Sequence, residues 1–392
     1  MKILITGGLG QVGSYLCERL SEHNEVTIID NFSNSLNNIK LPSKIKIIRG
    51  DIRNQKTVNE LASKANTIIH TAAQTTVNKS IEDPVYDADN NINGTLNLLE
   101  AARRSDIERF IYISSAAVYG DPITLPINEE HPANPLSPYG LSKLTGEKYT
   151  RLYYRLYELP TVCLRPFNIF SPRQNPNNPY SGVITEFIER IRNDQNPVIF
   201  GDGNQTREDG NQTRDFVYIE DVVEAVSDIM EKRSAIGEVF NIGTGRPTRI
   251  RDMAETIIRI SNKELEPKFE QALIGDIRES YAEISRQSQT VNAKDLYIMI
   301  TIRSPGKITK KGLKSHPYCI QCGMIKNISS DRERPLGYYM NILSHLRITK
   351  VQTRLIVPTM SAKIIYNKPT NSSTVRPAFL SMPLSVPLSK VS

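Results

Sequence analysis

The first thirty residues restrict the fold of this chain more than any other feature of its sequence. An apolar run over residues 2–5 predicts a buried strand, and a second run over 26–29 ends at Asp30. Between them lies a predicted helix over 14–21, whose apolar residues share one face. Three glycines precede that helix at the spacing G-x-x-G-x-x-G: Gly7, Gly10 and Gly13. Because glycine permits a tight turn, this order predicts a strand–turn–helix–strand unit of a parallel sheet.

The same segment predicts a dinucleotide-binding site. A backbone without Cβ atoms can approach a pyrophosphate, and the N-terminus of the following helix offers free N–H groups and the positive end of the helix dipole. Asp30 can accept hydrogen bonds from a ribose diol, and its charge would repel a 2′-phosphate, so NAD is favoured over NADP. The alternative, a flexible glycine loop, is disfavoured by the strand and the helix on either side.

Strands and helices continue to alternate along the chain. Further strands are predicted at 45–48, 67–70, 110–113 and 161–165. Helices are predicted between them at 57–62, 89–104 and 139–157. This alternation predicts the α/β class, with a Rossmann-type, doubly wound parallel sheet. Asp51 follows the third strand, where a carboxylate can meet an adenine amino group, and the small residues Ala72 and Ala73 follow the fourth, where the backbone would pass under a cofactor.

Composition sets the broad class and the expected location. The chain has 392 residues, of which 39% are hydrophobic and 23% charged, as in ordinary globular proteins with room for two or three domains. No apolar run approaches the roughly 18 residues of a membrane-spanning helix, and the N-terminus does not resemble a signal peptide. Four cysteines suit a reducing compartment, so a cytoplasmic protein is expected.

Tyr139 and Lys143 form the spacing Y-x-x-x-K on one face of a predicted helix. Tyrosine has a pKa near ~10, and lowering it to about 7 requires roughly 4 kcal/mol of differential stabilisation. The ammonium of Lys143 and the positive charge of a nicotinamide would together favour the phenolate. Ser115, at the carboxyl end of a predicted strand, can bond the same substrate hydroxyl. The alternative is a surface tyrosine and lysine on an ordinary helix.

These residues belong to a longer set of motifs that resembles a known family. The motifs are the glycine turn, Asp30-Asn31, Asp51-Ile52, His70 to Ala73, Asn91 to Thr95, Ser114 to Gly120, Tyr139 to Lys143, Arg165 to Asn168, Arg214 to Phe216, and Glu238 to Gly245. Together they resemble the extended short-chain dehydrogenases/reductases, and among these the nucleotide-sugar epimerases and dehydratases. The resemblance is greatest to UDP-glucose 4-epimerases and extends to about Ser285.

The resemblance implies a reaction and a set of site residues. Tyr139, assisted by Ser115 and Lys143, would take the proton of a sugar 4-hydroxyl during NAD-dependent inversion of C4. The implied cofactor-binding residues are Gly7, Gly10, Gln11, Val12, Gly13, Asp30, Asn31, Asp51, Ile52, Ala72, Ala73, Asn91, Tyr139 and Lys143. The implied residues for a UDP-sugar are Ser115, Tyr139, Asn168, Arg214 and Ser280. No metal site, nucleic acid or membrane is implied, and a homodimer is expected through helices over 89–104 and 139–157.

The sequence leaves more than one function open. Related 4,6-dehydratases carry an Asp-Glu pair where Ala116-Ala117 stand here, which favours epimerisation over dehydration. A decarboxylase, a reductase or a non-catalytic NAD-binding protein would also fit these motifs. Leu273 replaces an arginine that usually grips the diphosphate, and a segment over 202–207 recurs over 209–214. A small residue at Ser280 would admit N-acetyl sugars.

The domain organisation is predicted from the same resemblance. An NAD-binding domain is expected over 1–170 and 216–246, and a nucleotide-sugar domain over 171–215 and 247–285. The remainder, 286–392, has 17 Lys and Arg against 3 Asp and Glu and does not resemble the family. A disordered tail, a shifted reading frame or a foreign fusion would each explain it. His316, Cys319 and Cys322 have spacings compatible with zinc, and the basic excess with nucleic acid, but neither pattern is complete.

Overall fold

A computed structural model describes residues 1–34, 39–174, 182–201, 210–271 and 277–290, and two short strands beyond them. All of these residues lie in one compact unit, Met1–Ile328. Several sequence predictions fall outside the described residues: the departure at Leu273, the first copy of the repeat over 202–207, and the zinc candidates His316 and Cys319.

The strands and helices alternate through most of the described chain. The strands are β1 (Lys2–Thr6), β2 (Glu25–Asp30), β3 (Lys46–Arg49), β4 (Thr67–His70), β5 (Arg109–Ile113), β6 (Thr161–Pro166), β7 (Asn168–Phe170), β8 (Val198–Phe200), β9 (Thr213–Arg214), β10 (Phe216–Tyr218), β11 (Val239–Ile242), β12 (Thr248–Arg249), β13 (Lys268–Glu270), β14 (Glu279–Ser280), β15 (Ile300–Ile302) and β16 (Ile320–Cys322). The helices are α1 (Gln11–Ser21), α2 (Gln55–Ala62), α3 (Val77–Glu82), α4 (Pro84–Ala88), α5 (Gly94–Arg103), α6 (Pro138–Tyr157), α7 (Val183–Arg192), α8 (Ile219–Glu231), α9 (Ile250–Ser261) and α10 (Ser285–Thr290).

Seven strands form the central sheet, in the order β3-β2-β1-β4-β5-β6-β11. Every neighbouring pair is parallel. The order reverses between β1 and β4, and at such a point the loops at the carboxyl ends of two adjacent strands diverge and leave a crevice. The prediction of a Rossmann-type, doubly wound parallel sheet is confirmed.

The sheet is covered on both faces, as its strand sequences require. The inner strands are apolar at successive positions, because a parallel sheet buries both of its faces. One face packs against α1 and α8, and the other packs against α2, α5 and α6. Burial of these faces fixes the strand register and therefore the position of every residue at the carboxyl edge of the sheet.

A set of short strands lies beyond the large sheet. β9 pairs with β12 and β14, β10 pairs with β7, and β8 pairs with β13. The helix α10 then begins at Ser285, where the family resemblance ends in the sequence. Arg286 on this helix forms ion pairs with Glu130 and Glu238, 3.0 and 3.5 Å long. Within the described residues, no helix is long and apolar enough to cross a membrane.

Candidate active site

The glycine turn connects β1 to α1 at the crevice. Gly7 has a φ of +67°, and a Cβ atom on it would lie 2.7 Å from Cα of Ala72. A Cβ atom on Gly13 would overlap the carbonyl oxygen of Gly7. The tight spacing of the glycines is therefore required by the packing of the turn on β4 and on the first turn of α1.

The N-terminus of α1 is open to an anion. No side chain caps it, and its first turn contains no acidic residue. Asp30, at the end of β2, lies beside the turn, where its carboxylate accepts hydrogen bonds from the amides of Leu9 (2.9 Å) and Phe32 (2.8 Å). Gln11 donates to Ser171 at 3.0 Å, and Val12 packs against the core. These groups fit a dinucleotide: free amides for the pyrophosphate and a carboxylate next to them for a ribose.

The loops after β2 and β3 bring the next group of predicted residues together. Asn31 donates to Asp51 at 3.1 Å, and Arg53 holds the same carboxylate at 2.8–2.9 Å. The hydrogen bond from Arg53 is the largest cause that lowers the pKa of Asp51 to about 2. The side chain of Ile52 is buried and packs beneath Gly94.

A buried network of hydrogen bonds joins β1, β4 and α5 beneath the crevice. The amide of Ala72 and the ring nitrogen Nδ1 of His70 lie 3.2 and 2.8 Å from Thr6 Oγ1. His70 Nε2 lies 2.9 Å from Thr95 Oγ1, which donates to the carbonyl of Asn91 at 2.6 Å. The single hydroxyl proton of Thr95 is used in that bond, so His70 Nε2 carries the ring proton and donates to Thr95. Nδ1 therefore accepts a hydrogen bond from the hydroxyl of Thr6.

This network of hydrogen bonds was not predicted from the sequence, although His70 belongs to one of the motifs that carry the resemblance. Burial, with a smaller contribution from the charge of Lys143, lowers the pKa of His70 well below its usual value, so the ring is neutral. A neutral imidazole with one donor and one acceptor satisfies both hydroxyl neighbours. The hydrogen-bond network thereby fixes the carboxyl ends of β1 and β4, over which a cofactor would lie.

The predicted catalytic residues meet at the same edge of the sheet. Ser115 follows β5 in extended conformation; its hydroxyl accepts a hydrogen bond from the amide of Ala117 at 3.1 Å and lies close enough to Tyr139 to lower the pKa of that side chain. Tyr139 occupies the first turn of α6, where Ser137 caps the helix at 3.1 Å and Pro138 takes the first helical position. The backbone amide of Tyr139 donates to Ser80 at 3.0 Å, which anchors the start of the helix.

Lys143 lies one helical turn after Tyr139 and is nearly enclosed. Its side chain is 4% exposed, and its ammonium lies 4.4 Å from the centroid of the Tyr112 ring. Burial lowers the pKa of Lys143 to about 7, and the negative charge of Asp87 is the largest effect in the opposite direction. The ammonium is therefore held in a weakly solvated position between an aromatic face and buried polar groups.

The pKa of Tyr139 differs from the expectation. Burial of its hydroxyl is the dominant effect and raises the pKa, the hydrogen bond with Ser115 lowers it, and the charge of Asp87 raises it. The protein groups around the hydroxyl therefore do not by themselves produce the lowered pKa that the sequence predicts. Desolvation outweighs the effect of Ser115, so the pKa of Tyr139 is raised in the protein alone.

The predicted sugar-nucleotide residues lie on the short strands. Ser280 pairs with Arg214 in the register of β14 and β9, so these two positions are direct neighbours. Asn168 is exposed at the start of β7, and its side chain donates to the carbonyl of Asp215 at 3.2 Å. Asp215 is fully buried, and its carboxylate accepts hydrogen bonds from Thr244, Gly245 and Ala282 at 2.6–3.2 Å. It ties the loops around the predicted substrate residues to one another.

A second buried carboxylate stabilises the catalytic helix. Glu147, on α6, accepts two hydrogen bonds from Arg165 and one from Ser114, the latter at 3.0 Å. Arg165 also donates to Tyr119 at 2.8 Å and to the carbonyl of Glu129 at 3.0 Å. This network fixes α6 to β5 and β6, and hence the positions of Tyr139 and Lys143.

The comparisons with known proteins agree with this arrangement. The model of the family described as "NAD dependent epimerase/dehydratase family" matches residues 3–243. A putative UDP-glucose 4-epimerase of Methanocaldococcus jannaschii is 40% identical over 287 residues, which are 72% of this chain and 90% of that protein.

Two solved structures are similar over 74% of this chain. One is a UDP-N-acetylglucosamine 4-epimerase from Methanobrevibacter ruminantium in complex with UDP-N-acetylmuramic acid, with 33% identity, 91% of its chain covered and a TM-score of 0.69. The other is a UDP-glucuronic acid 4-epimerase from Bacillus cereus in complex with UDP-glucuronic acid and NAD, with 33% identity, 93% covered and a TM-score of 0.68.

The match extends through the glycine turn, the seven-stranded sheet and the Tyr139–Lys143 helix, and it covers more than half of the chain. NAD is the cofactor of the matching family, which agrees with the prediction from Asp30. The predicted resemblance is confirmed: the chain is an enzyme of the NAD-dependent epimerase/dehydratase family.

Proposed function

We propose that the protein inverts C4 of a UDP-sugar, either UDP-glucose and UDP-galactose or their N-acetyl forms. One observation carries the proposal. The side chains of Tyr139 and Ser115 meet at the carboxyl edge of the sheet, where Ser115 lowers the pKa of Tyr139, and Lys143 follows one helical turn later with its side chain buried. This is the arrangement that removal of a proton from a sugar hydroxyl requires.

Tyr139 acts as the base and Ser115 holds the same sugar hydroxyl. NAD, when bound, supplies a hydride acceptor and donor for C4. The Tyr139 phenolate takes the 4-hydroxyl proton and returns it after the 4-keto sugar has presented its other face. Lys143 in its charged form stabilises the phenolate. Burial acts on this charge in two ways: little water screens it, and the same loss of water lowers the pKa of Lys143. Proton transfer of this kind is worth about 10²- to 10⁴-fold in rate.

The turn after Ser115 favours epimerisation over elimination of water. Residues Ala116–Val118 form a short 3₁₀ turn beside the catalytic hydroxyl groups, and none of its side chains can donate or accept a proton. Elimination at C5 and C6 of a sugar needs an additional acid and base. Ala116 and Ala117 supply neither.

The cofactor residues that we propose surround the crevice. The amides of Gln11, Val12 and Gly13 would hold the pyrophosphate, Asp30 the adenosine ribose, and Asn31, Asp51 and Ile52 the adenine side. Ala72 and Ala73 would line the path toward the nicotinamide, and Asn91, which is 1% exposed and bonded to the backbone of Gln74, would support that loop from beneath. The open N-terminus of α1 and the position of Asp30 beside the glycine turn support this assignment.

Asn168, Arg214 and Ser280 are proposed to hold the nucleotide sugar. Their strands belong to the region 171–215 and 247–285, or adjoin it, which we propose as the substrate domain, with the NAD domain over 1–170 and 216–246. The pairing of Ser280 with Arg214 supports a common role, because one ligand can contact both. The relatives in the solved structures bind UDP-linked sugars, which supports UDP as the nucleotide.

We propose that the protein forms a homodimer through α5 and α6. Four apolar residues form a stripe along α6 at helical spacing: Leu141, Tyr149, Leu152 and Leu156. The first and last of these side chains are 56% and 60% exposed. A stripe of this kind on a long surface helix is typical of a helix–helix interface between subunits.

Product identification tests the proposed reaction. The full-length protein, with NAD, is incubated in D₂O with UDP-galactose, UDP-N-acetylglucosamine or UDP-glucuronic acid, and the sugars are followed by proton NMR. The expected product is the C4 epimer with hydrogen, not deuterium, at C4, because hydride leaves and returns without exchange. A 4-keto-6-deoxy sugar, a pentose or a reduced sugar would instead assign dehydration, decarboxylation or reduction, and would contradict the proposal.

A further inference from the structure

Asp87 is a buried carboxylate that the proposed reaction does not use. It lies on α4, immediately before a π-helical turn over Asp89–Asn93. Its Oδ1 atom accepts hydrogen bonds from Gln74 Nε2 (2.9 Å) and Asn91 Nδ2 (3.0 Å). Its Oδ2 atom is buried without a hydrogen-bond partner among the described residues. An enclosed acid with a free oxygen is costly unless a positive charge compensates it.

The hydrogen bonds that Asp87 receives favour its charged form, against the cost of burial. Both groups that contact Oδ1 are N–H donors, which stabilise a carboxylate. Burial raises the pKa of Asp87, while the neighbouring side chains of Ser142 and Gln74 and the charge of Lys143 lower it.

Asp87 is linked directly to the turn of α6 that carries Lys143. Asn91 Nδ2, which contacts Asp87, also lies 3.0 Å from Ser142 Oγ and 3.0 Å from the carbonyl of Gln74. Ser142 precedes Lys143, and its hydroxyl donates to the carbonyl of Tyr139 at 3.0 Å. A single amide therefore joins the acid to the catalytic helix.

The other groups that face Lys143 cannot balance its charge. They are Tyr112 on β5, His70 on β4, Cys163 on β6, and Tyr139 and Glu147 on its own helix. Tyr112, His70 and Cys163 are neutral, since burial raises the pKa of Tyr112 and of Cys163 and lowers that of His70. Glu147 is already neutralised by Arg165. Asp87 is the remaining carboxylate among the described groups that act on the ammonium.

We propose that Asp87 is the counter-ion of Lys143, a positioning residue that keeps the enclosed ammonium charged and in place beside Tyr139. This role rests on the proposed function of Lys143 and deepens it. It accounts for a buried acid in a part of the site that must also admit a positively charged nicotinamide. Without the acid, Lys143 would lose its proton at a lower pH, and the charge that stabilises the phenolate would disappear.

The titration of Lys143 tests the proposal without turnover. Lysine labelled with ¹³C at Cε is incorporated into the full-length protein, and the Lys143 signal is assigned by its loss in Lys143→Met. In Asp87→Asn, the midpoint of this signal should move to lower pH by about 1 unit or more. Asp89→Asn is the matched control, because Asp89 pairs with Arg53 at the surface and should leave the midpoint unchanged.

Two further measurements keep the result decisive. If Asp87→Asn does not fold, judged by circular dichroism and a urea transition, Asp87→Ser removes the charge with a smaller polar group. An unshifted Lys143 midpoint in a folded variant would overturn the proposal and leave Asp87 a structural residue.

The pH dependence of the reaction is the second measurement. With a substrate that the wild type epimerises, the alkaline limb of the plot of rate against pH should shift as the NMR midpoint does. A wild type that turns over no UDP-sugar would instead refute the proposed function, while the NMR titration would still decide the role of Asp87.

Discussion

At the scale of single residues, the site is organised by the compensation of buried charge. Glu147 and Arg165 neutralise each other and fix α6, whereas the charge of Asp87 acts on Lys143 without a direct ion pair among the described contacts. The first arrangement maintains structure. The second would leave an ammonium available to act on Tyr139 in the proposed reaction.

Removal of Glu147 should destabilise the protein strongly. Glu147→Ala leaves Arg165 and Ser114 buried without their main partner, and breaking a buried pair in this way costs about 3–5 kcal/mol. The free energy of unfolding in urea measures the loss. Glu189→Ala, which removes a half-buried pair with Arg192, should cost less than about 1 kcal/mol. Equal losses in the two variants would contradict this account.

His70 should make stability depend on pH below neutrality. Above pH ~6.5 the imidazole is neutral in both the folded and the unfolded chain. Below it, the unfolded chain binds a proton that the buried ring cannot, because its folded pKa is lowered well below the usual value. Stability should therefore fall as the pH is lowered, by up to about 1.4 kcal/mol per unit from this residue. Urea midpoints from pH 7.5 to 5 should show a shallower slope in His70→Gln; an unchanged slope would refute the assignment.

At the scale of elements, two short irregular segments position the site: the glycine turn and the π-helical turn over Asp89–Asn93. The first places the N-terminus of α1 over β4. The second interrupts what would otherwise be one helix and directs Asn91 toward Gln74 and Ser142. Regular elements flank both segments: β1 and α1 lie on either side of the glycine turn, and α4 and α5 on either side of the π-helical turn.

Alanine substitutions should show which glycine of the turn is most strictly required. In Gly13→Ala the new Cβ overlaps the carbonyl oxygen of Gly7, so we expect a loss of about 1–3 kcal/mol in stability and a clear loss of NAD affinity. In Gly10→Ala the closest atom is 3.3 Å away, and the effect should be smaller. Thermal unfolding and calorimetric titration with NAD provide the comparison. A larger loss in Gly10→Ala than in Gly13→Ala would show that the contact with the carbonyl oxygen of Gly7 does not determine which glycine is required.

The regular elements of the large sheet were predictable, because continuous apolar runs and glycine positions carry their signal locally. The helix predicted over 89–104 differs at its start, where the structure has a π-helical turn. That turn depends on hydrogen bonds of Asn91 to residues distant in sequence, which no helical period reveals. The pairing of β9 with β12 and β14 was not predictable either, because strands of two residues have no pattern of their own.

The same limit applies to the site. Tyr139, Lys143 and Ser115 were identified from spacing and resemblance, and the structure brings them together, while their roles stay predictions. Asp87 was not identified, because a lone acid in a helix resembles a solvated surface residue. Only its burial and its contact with Asn91 distinguish it.

At the scale of the whole molecule, one edge of the sheet brings together the residues that the proposed reaction would use. The glycine turn follows β1, Ala72 follows β4, and Ser115 follows β5, all at the carboxyl ends of parallel strands. This placement follows from the topology alone.

The α6 stripe should mediate self-association. Leu156→Asp places a charge in the exposed apolar stripe and should convert a dimer into a monomer, measured by light scattering after size-exclusion chromatography. Ile123→Asp, a similar change at a 71% exposed position outside the stripe, should leave the dimer intact. A wild-type protein that is monomeric at micromolar concentration would contradict the proposed interface.

The central claim is best tested by the conversion of UDP-galactose to UDP-glucose by the full-length chain, with wild type and Tyr139→Phe assayed side by side and NAD binding measured in both. We predict that the wild type forms UDP-glucose and that the variant binds NAD but loses about 10²- to 10⁴-fold in kcat. A variant as active as the wild type, or a wild type that binds NAD and converts no UDP-sugar, would contradict the account.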